Sequence, residues 1–554
     1  MILSLIRSYK SSLRSSILLL FTVFTLIYTQ ILHPMEEFDL DDFVNDPSWD
    51  QFLEQNEFSM TKNIDPADIL SILILQLKIL DILKEDLYCK TYPLNYRSLL
   101  DMPFVRPYRW HKERDRKFGL QLFYNQTSRM FFTKKCDSLY SYLAICNPNL
   151  LRKLSELTSQ EIIRDQFPNF NLDPLCVFPL FKNMTIQDRR AGFMFSGSHR
   201  WRWLTFRALV PLYYLERNFF LTDEERRKVE DIFGAQSDTT FQDQHLISDK
   251  LGVGDTRLIF AFHIIRRENI ALNLGFQATV PTAFAFTKGV KGSSFEQWKK
   301  IKHRHFSLEE LWNLAQQGGK AGTEYGTDFF LGALDTLSAN LIDAELGNNQ
   351  HPGIGFFMQT RSRLSFFFKR PWAHNIKYKG TLSFEYLFPK SEHRFFLIKT
   401  DKNALDENLY DDERAQNDPA YARGWLTLIE ETFTNKFYPV SLNTRVQPGI
   451  IFQWTSNLFY ERGPWRFQIG TDWWIQGPTS LEAVDVPQYI GSPCIDIKKA
   501  EPPFAFQSKV CGGIFYSLKR PAHEWNISLY GDYTYWSKGI GRDFTLSFNV
   551  ELDF

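Results

Sequence analysis

The chain has 554 residues, in which 64 Lys+Arg balance 64 Asp+Glu; 44% of residues are hydrophobic, 16% aromatic and 23% charged. This composition excludes a collagen or a disordered chain, and the missing basic excess argues against a nucleic-acid binder. Mean hydropathy is −0.30, and past the N-terminus no apolar run reaches the ~20 residues of a spanning helix, which excludes a polytopic helical membrane protein.

Arg7, Lys10 and Arg14 precede a short apolar run at 17–28, with no acid before Glu36. A basic region followed by a short apolar core reads as a secretory signal, here residues 1–34. Residues 35–112 read as an acidic and helical extension, either periplasmic or a plug. Within it, 36–60 carries nine acids and no Lys or Arg, as a solvated segment does. Residues 67–87 are apolar with a polar stripe at Asp68, Ser71, Lys78, Asp81 and Glu85, the spacing of a mostly buried helix with one wet edge.

From 113 to 554 the chain has a period of two. Many of the 51 Phe, 23 Tyr and 14 Trp alternate with polar residues, as in half-buried strands. Strands are expected at one or two places in 117–134, then at 187–196, 199–212, 255–265 and 268–281, with a tight turn at Gly197 and Ser198. In 353–368, Ile354, Phe356 and Met358 oppose Gln359, Arg361 and Arg363. In 374–388, Tyr378, Leu382, Phe384 and Tyr386 oppose Lys377, Lys379 and Glu385. In 445–455, Val446, Ile450, Phe452 and Trp454 alternate with Arg445, Gln447 and Gln453. In 464–476, Trp465, Phe467, Ile469 and Trp473 oppose Arg466, Gln468 and Asp472. After a strand at 505–518, Trp525, Ile527, Leu529, Tyr533 and Tyr535 alternate with Asn526, Ser528, Asp532, Thr534 and Trp536. Phe544, Leu546, Phe548, Val550, Leu552 and Phe554 end the chain, facing away from Asp543, Thr545, Ser547, Asn549, Glu551 and Asp553.

Three features point to a membrane barrel rather than a soluble sandwich. The strands run well past the ~5–6 residues usual in soluble proteins and reach the ~9–11 that cross hydrocarbon at a tilt. Their polar faces carry Arg, Lys, Glu and Gln in mid-strand. Aromatic residues gather at strand ends, as in interfacial girdles. Connections also alternate between short turns and long loops (135–186, 213–254, 282–352, 389–444, 477–503), the asymmetry of periplasmic turns against external loops. The expected fold is therefore an all-β, transmembrane, antiparallel up-and-down barrel of about 12–14 strands. Segment 328–341 is compatible with helix or strand; 306–317 and 421–435 read as helices within long loops.

The expected lumen-facing set is Gln359, Arg361, Arg363, Lys377, Lys379, Glu385, Arg445, Gln447, Gln453, Arg466, Gln468, Asp472, Asn526 and Asp532. Its cations outnumber its acids, so a basic wall favouring anionic solutes is one reading; pairing with acids of infolded loops is the other. The six cysteines include no C-x-x-C pair, so neither a zinc nor a redox motif is indicated. Cys136 and Cys146 are the nearest to pairing, with free thiols the alternative. His303 and His305 lie in a Lys-rich stretch that reads as a solvated loop, and no metal site or cofactor is assigned. His263 should face the lumen. No nucleophile elbow is present, and no catalytic residue is assigned.

The alternating strand that ends in Phe554 resembles the C-terminal recognition strand of Gram-negative outer-membrane proteins, although the usual Gly within it is missing. The resemblance implies the outer membrane of a Gram-negative-type bacterium, contact with its lipid, and handling by the barrel-assembly machinery. Separately, Gly252-Val253-Gly254-Asp255-Thr256-Arg257-Leu258, with Gly275 and Val280-Pro281-Thr282 downstream, resembles the hairpin of MetA-pathway phenol-degradation and related hydrophobic-compound channels. That implies passive uptake of small molecules. The expected function is a porin-like channel. A surface adhesin or receptor with a plugged lumen is the alternative, and a barrel hydrolase a third reading.

Overall fold

The computed structural model describes residues 90–105, 116–130, 185–220, 246–287, 320–366, 371–399, 418–487 and 494–554, apart from isolated positions within these spans. Its strands are β1 (Arg116–Ser128), β2 (Thr185–Trp201), β3 (Leu204–Phe220), β4 (Ile247–Val253), β5 (Thr256–Arg266), β6 (Ile270–Val280), β7 (Phe284–Thr287), β8 (Gly353–Arg363), β9 (Ile376–Leu387), β10 (Lys390–Phe396), β11 (Val440–Gln447), β12 (Ile451–Arg462), β13 (Trp465–Gln476), β14 (Ser480–Val484), β15 (Ala505–Lys519), β16 (Glu524–Lys538) and β17 (Arg542–Asp553).

Twelve of these are staves of a closed antiparallel barrel, in the order β1, β2, β3, β5, β6, β8, β9, β12, β13, β15, β16, β17. The ring is sealed by β1 on β17, from Lys117 opposite Asp553 to Ser128 opposite Arg542. Closure leaves no strand edge unpaired, the condition for a sheet to cross lipid.

The period-two pattern decides which side faces what. On β17, Leu546 and Phe548 are 55% and 45% exposed, while Thr545 and Ser547 are 0% and 3%. Phe118, Leu120, Phe193, Phe356, Leu458, Ile469 and Leu529 are likewise exposed on the outer surface. Phe384 and Phe467 are also exposed, so the strands present an apolar exterior where a sandwich would have a second sheet. Aromatic rings ring the barrel near both ends. Trp454, Trp473, Phe506 and Trp536 form a chain across β12, β13, β15 and β16, with successive centroids 5.8, 6.2 and 4.9 Å apart. At the short-turn end Trp465 meets Tyr516 at 4.8 Å. Trp465 and Trp473 are eight residues apart on β13; at ~3.3 Å per residue and a tilt of ~40°, they lie roughly 20 Å apart along the axis. An apolar band of that height between aromatic girdles is the surface of a transmembrane β-barrel of the outer-membrane type. Among the described residues no helix is long and apolar enough to cross a membrane; the crossing is by strands.

At the long-loop end β10, β11 and β14 form a separate three-stranded sheet. A short helix, Ile497–Ala500, packs on this sheet, and two longer ones lie in the long loops, α1 (Lys320–Leu341) and α2 (Pro419–Phe437). The Asp418 side chain caps α2 by accepting from Ala420 N and Tyr421 N. Phe329 of α1 packs against Phe433, Phe437 and Tyr438, with centroids 5.0–5.8 Å apart. Segment 328–341 thus proves helical, and 421–435 lies within α2. Both 67–87 and most of 306–317 fall outside the described residues.

Three boundaries differ from expectation. The β2–β3 hairpin turns at Arg202 and Trp203, not at Gly197 and Ser198, because the ladder runs on to Trp201 opposite Leu204. The expected strand at 445–455 is two strands: Pro448 has no N–H to give a ladder and Gly449 crowds the Gly477 backbone, so the chain leaves β11 and enters the wall only at Ile451. Trp536 faces out, not in. A bulge pairs Ser508 with Trp536 and Lys509 with Thr534, skipping Tyr535, so the alternation changes phase and Ser537 turns inward.

Candidate functional site

The lumen is occupied by the chain itself. Residues 90–105 run into it from the long-loop mouth. There Thr91 N and Tyr92 N donate to Lys499 O, at 2.8 and 3.1 Å. Asn95 Nδ2 donates to Pro503 O and Gly539 O. Deeper in, the chain forms two short 3-10 turns, Leu99–Asp101 and Pro103–Val105, the first capped by Ser98.

Four groups of contacts dock this plug. Arg97 is central: its guanidinium pairs with Asp472 of β13 at 2.7 Å, donates to Gln507 and to Asp101 O, and lies over the Trp474 ring. Beside it, Asp188 bridges Arg190 and Arg217 at 2.7 and 2.8 Å. Both guanidiniums flank the Tyr96 ring, at 5.7 and 4.7 Å, and Arg190 also donates to Arg97 O. On the opposite side Arg257 of β5 pairs with Asp101 at 2.8 Å and with Glu385 at 2.6 Å. Finally Leu99, Leu100, Met102 and Phe104 pack among Phe123, Met194, Leu209, Tyr213 and Tyr530, inward-facing residues of the wall.

Arg257 and Asp255 belong to the glycine-rich stretch at 252–258. It lies where one long strand breaks: β4 and β5 both pair with β3, and the register steps by one between Val253 opposite Leu212 and Arg257 opposite Leu209. Gly252 fits because a Cβ there would collide with the Phe284 and Ala285 backbone. Asp255 accepts from Asn348 N at 2.5 Å, and Leu346 inserts beside Tyr213 and Ala283, so the turn at 345–350 closes the break from inside. The glycines bend the wall, and Arg257 grips the plug.

Of the sequence-selected lumen residues, twelve lie on barrel strands and face inward: Gln359, Arg361, Arg363, Lys377, Lys379, Glu385, Gln453, Arg466, Gln468, Asp472, Asn526 and Asp532. They fall into separate layers. Glu385, Gln453 and Asp472 belong to the plug contacts, since Gln453 donates to both Asp101 O and Asp472. Asp532 pairs with Lys509, which also reaches Asp543 at 2.5 Å. Near the short turns Lys377 and Arg466 share Glu461, a carboxylate beyond the end of the strand expected at 445–455. Asn526 accepts from Ser517 and Gln468 donates to Asn457. The other two are corrected: Arg445 and Gln447 sit on β11, outside the wall, because of the break at Pro448 and Gly449. There Arg445 pairs with Glu482 at 2.9 Å, both side chains exposed.

A cavity of about 140 Å³ lies in the half of the lumen toward the short turns. Along its wall runs a rung of side chains from β3 to β9. Thr205 meets His263 Nε2 and His263 Nδ1 meets Asn273 Oδ1, both at 2.9 Å; Asn273 donates to Gln359, and Gln359 to Thr381. With Asn273 Nδ2 donating to Gln359, its Oδ1 accepts from Nδ1 of His263. Above the plug, toward the long loops, a second cavity of about 320 Å³ is lined by Tyr96, Arg217, His351, Glu392 and Arg394 among others. His351 Nε2 and Arg394 both contact Glu392, at 2.6 and 2.7 Å. Burial raises the Glu392 carboxyl, but Arg394 and His351 outweigh it, and the net result is a pKa below the ordinary glutamate value of 4.5.

Among the described residues no cluster of His, Cys, Asp or Glu could hold a metal ion. Cys494 and Cys511 are free thiols; Cys136, Cys146, His303 and His305 fall outside the described residues. Sequence reasoning missed Arg97, Asp101, Asp188, Arg257 and Lys509. Period two marked the inward parity of the wall residues, but Arg97 and Asp101 lie on no strand and carry no such signal.

No protein-family model matches the chain, and no curated protein matches. Solved structures do. An outer-membrane channel from Pseudomonas putida F1 aligns at 8% identity and a TM-score of 0.36, covering 80% of this chain and 97% of that one. The Pseudomonas putida toluene transporter TodX gives 8% and 0.28, over 84% and 94%. The translocator domain of the autotransporter NalP from Neisseria meningitidis gives 4% and 0.28, over 80% and 90%. Likeness this distant leaves function to the chain's own geometry.

Proposed function

We propose that this chain is an outer-membrane channel for passive uptake of small solutes, shut in the observed state by residues 94–105. The observation that carries the reading is the wall: polar and charged side chains face inward around the ring at the plug, and the lumen opens into cavities on both sides of it. The described contacts between plug and wall are ion pairs, hydrogen bonds and apolar packing, which can part without breaking the barrel. Asp188, Asp472, Arg257 and Lys509 then become hydrated lumen surface, and solutes diffuse through.

A barrel closed for good, serving as a surface anchor or receptor, is the competing reading. The apolar side of the plug, Leu99 to Phe104, favours it. Liposome swelling in arabinose separates the two. The full chain should admit the sugar slowly and Arg97→Ala quickly; a correctly assembled barrel that admits none in either form would establish the closed anchor.

A further inference from the structure

We infer that the short-turn rim of the barrel binds anionic phospholipid headgroups, through arginines that stand just beyond the apolar band. The inference concerns the outer surface and is independent of whether the lumen conducts.

Outward columns on several strands end at this rim in an arginine. On β12 the column runs Leu458, Tyr460, Arg462; on β15 it runs Tyr516, Leu518, Arg520; on β1, read toward the rim, it runs Leu120, Phe118, Arg116. On β5 a bulge leaves Ile264 with no residue opposite, and the next outward positions are Ile265 and Arg267. The β2–β3 turn adds Arg202 between Trp201 and Trp203, which are 55% and 61% exposed. All five arginines are exposed, and none of them pairs with a carboxylate among the described residues. The acids of this end, Glu461, Glu524, Glu551 and Asp553, take the inward parity of their strands. There Glu461 holds Lys377 and Arg466, and Asp553 meets Lys117.

The depth of these arginines matches phosphate. Trp465, opposite Arg462, and Trp525, opposite Leu518, belong to the aromatic girdle, and such girdles sit at headgroup level. One outward step of two residues, at ~3.3 Å each and a tilt of ~40°, advances about 5 Å along the axis. Each headgroup layer is roughly 5–8 Å thick, so a guanidinium one step past the last apolar residue lies among the phosphates while its stem covers apolar surface. Guanidinium grips phosphate through paired N–H donors. At the long-loop rim the columns of β9, β12 and β15 end instead in Phe388, Ile450 and Phe504, all exposed. The outward Arg189 of β2 there has Glu216 opposite it on β3, at 3.7 Å. Positive charge without a matching acid thus collects at the short-turn rim. It favours an anionic headgroup over a zwitterionic one, whose own cation it repels. Short turns face the periplasm in barrels of this type, where the leaflet is phospholipid.

The test reconstitutes the full chain in phosphatidylcholine vesicles and compares nitroxide-labelled phosphatidylglycerol with labelled phosphatidylcholine by electron spin resonance. The share of label held at the protein surface should be about twofold higher or more for phosphatidylglycerol. That excess should shrink as KCl is raised, because exposed charges are screened. Arg116→Gln/Arg202→Gln/Arg267→Gln/Arg462→Gln/Arg520→Gln should abolish the excess, and the same five changes to Lys should keep most of it. Heat-modifiable migration shows that each variant has assembled; should the five changes to Gln prevent assembly, Arg462→Gln/Arg520→Gln should still remove part of the excess. Equal retention of the two lipids, an excess indifferent to salt, or an excess that survives undiminished in an assembled Gln variant overturns the inference. Labelled lipopolysaccharide retained above phosphatidylglycerol, and released by the same Gln changes, assigns the rim to the other leaflet and overturns it too.

Discussion

Arg97 and Asp472 meet at 2.7 Å inside the barrel, both almost wholly withdrawn from solvent. One belongs to the segment that fills the lumen and the other to the wall. Removing one partner leaves a buried charge uncompensated, at a cost of about 3–5 kcal/mol. Arg97→Ala should therefore undock the plug and raise the open probability of single channels in a planar bilayer. Asp472→Asn should do the same, and the double variant should open less than the two single effects summed, since each removes the same pair.

Arg257 answers to two carboxylates, Asp101 of the plug and Glu385 of β9. Arg257→Met strands both, so it should be more severe than Arg97→Ala and should reduce heat-modifiable, folded barrel on gels. Arg257→Met/Glu385→Met/Asp101→Asn removes both carboxylate charges as well and should recover folded protein, since no uncompensated charge is then left in the cluster.

The outer face obeys a different rule. Leu546 stands mid-strand on β17 and is exposed. Leu546→Arg puts a charge into hydrocarbon and should cost ~2–4 kcal/mol of refolding free energy in lipid vesicles. At Phe554, at the strand end, the same change should cost only about 0–1 kcal/mol.

The mouth cavity carries a pH dependence. Glu392 has a depressed carboxyl pKa when folded, through Arg394 and His351 and against the effect of burial. Its stabilising contribution is therefore complete above the ordinary value of 4.5 and is lost as pH falls through the lower folded value. Hydrogen exchange in β10 should quicken below pH ~4, and Glu392→Gln should flatten that dependence.

The wall was legible in the sequence because one rule governs it. Any inward residue is flanked by outward ones, so Thr545 and Ser547 identify themselves beside Leu546 and Phe548. The rule fails where a single residue is added or a strand is cut. Tyr535 shifts the phase and turns Trp536 outward. Pro448 and Gly449 cut one apparent strand in two and carry Arg445 and Gln447 out of the lumen. The plug escaped the rule altogether: Arg97 and Asp101 are placed by partners hundreds of residues away, Asp472, Arg257 and Gln507, and such pairing leaves no local period. Arg361 and Lys379 face the lumen, as their parity has it. Neutralisation of Lys377 and Arg466 depended on Glu461, which came into view only when β12 proved to run to Arg462.

The central claim is that alternate residues of one strand touch lipid and lumen. Nitroxide labels placed singly at 543–550 of the reconstituted protein test it by collision with oxygen and with a water-soluble nickel chelate. Oxygen contact should peak at 544, 546, 548 and 550 and fall at the positions between, with the chelate excluded from Leu546 and Phe548. Free access of the chelate to those two positions, or the absence of a two-residue period, would contradict the account.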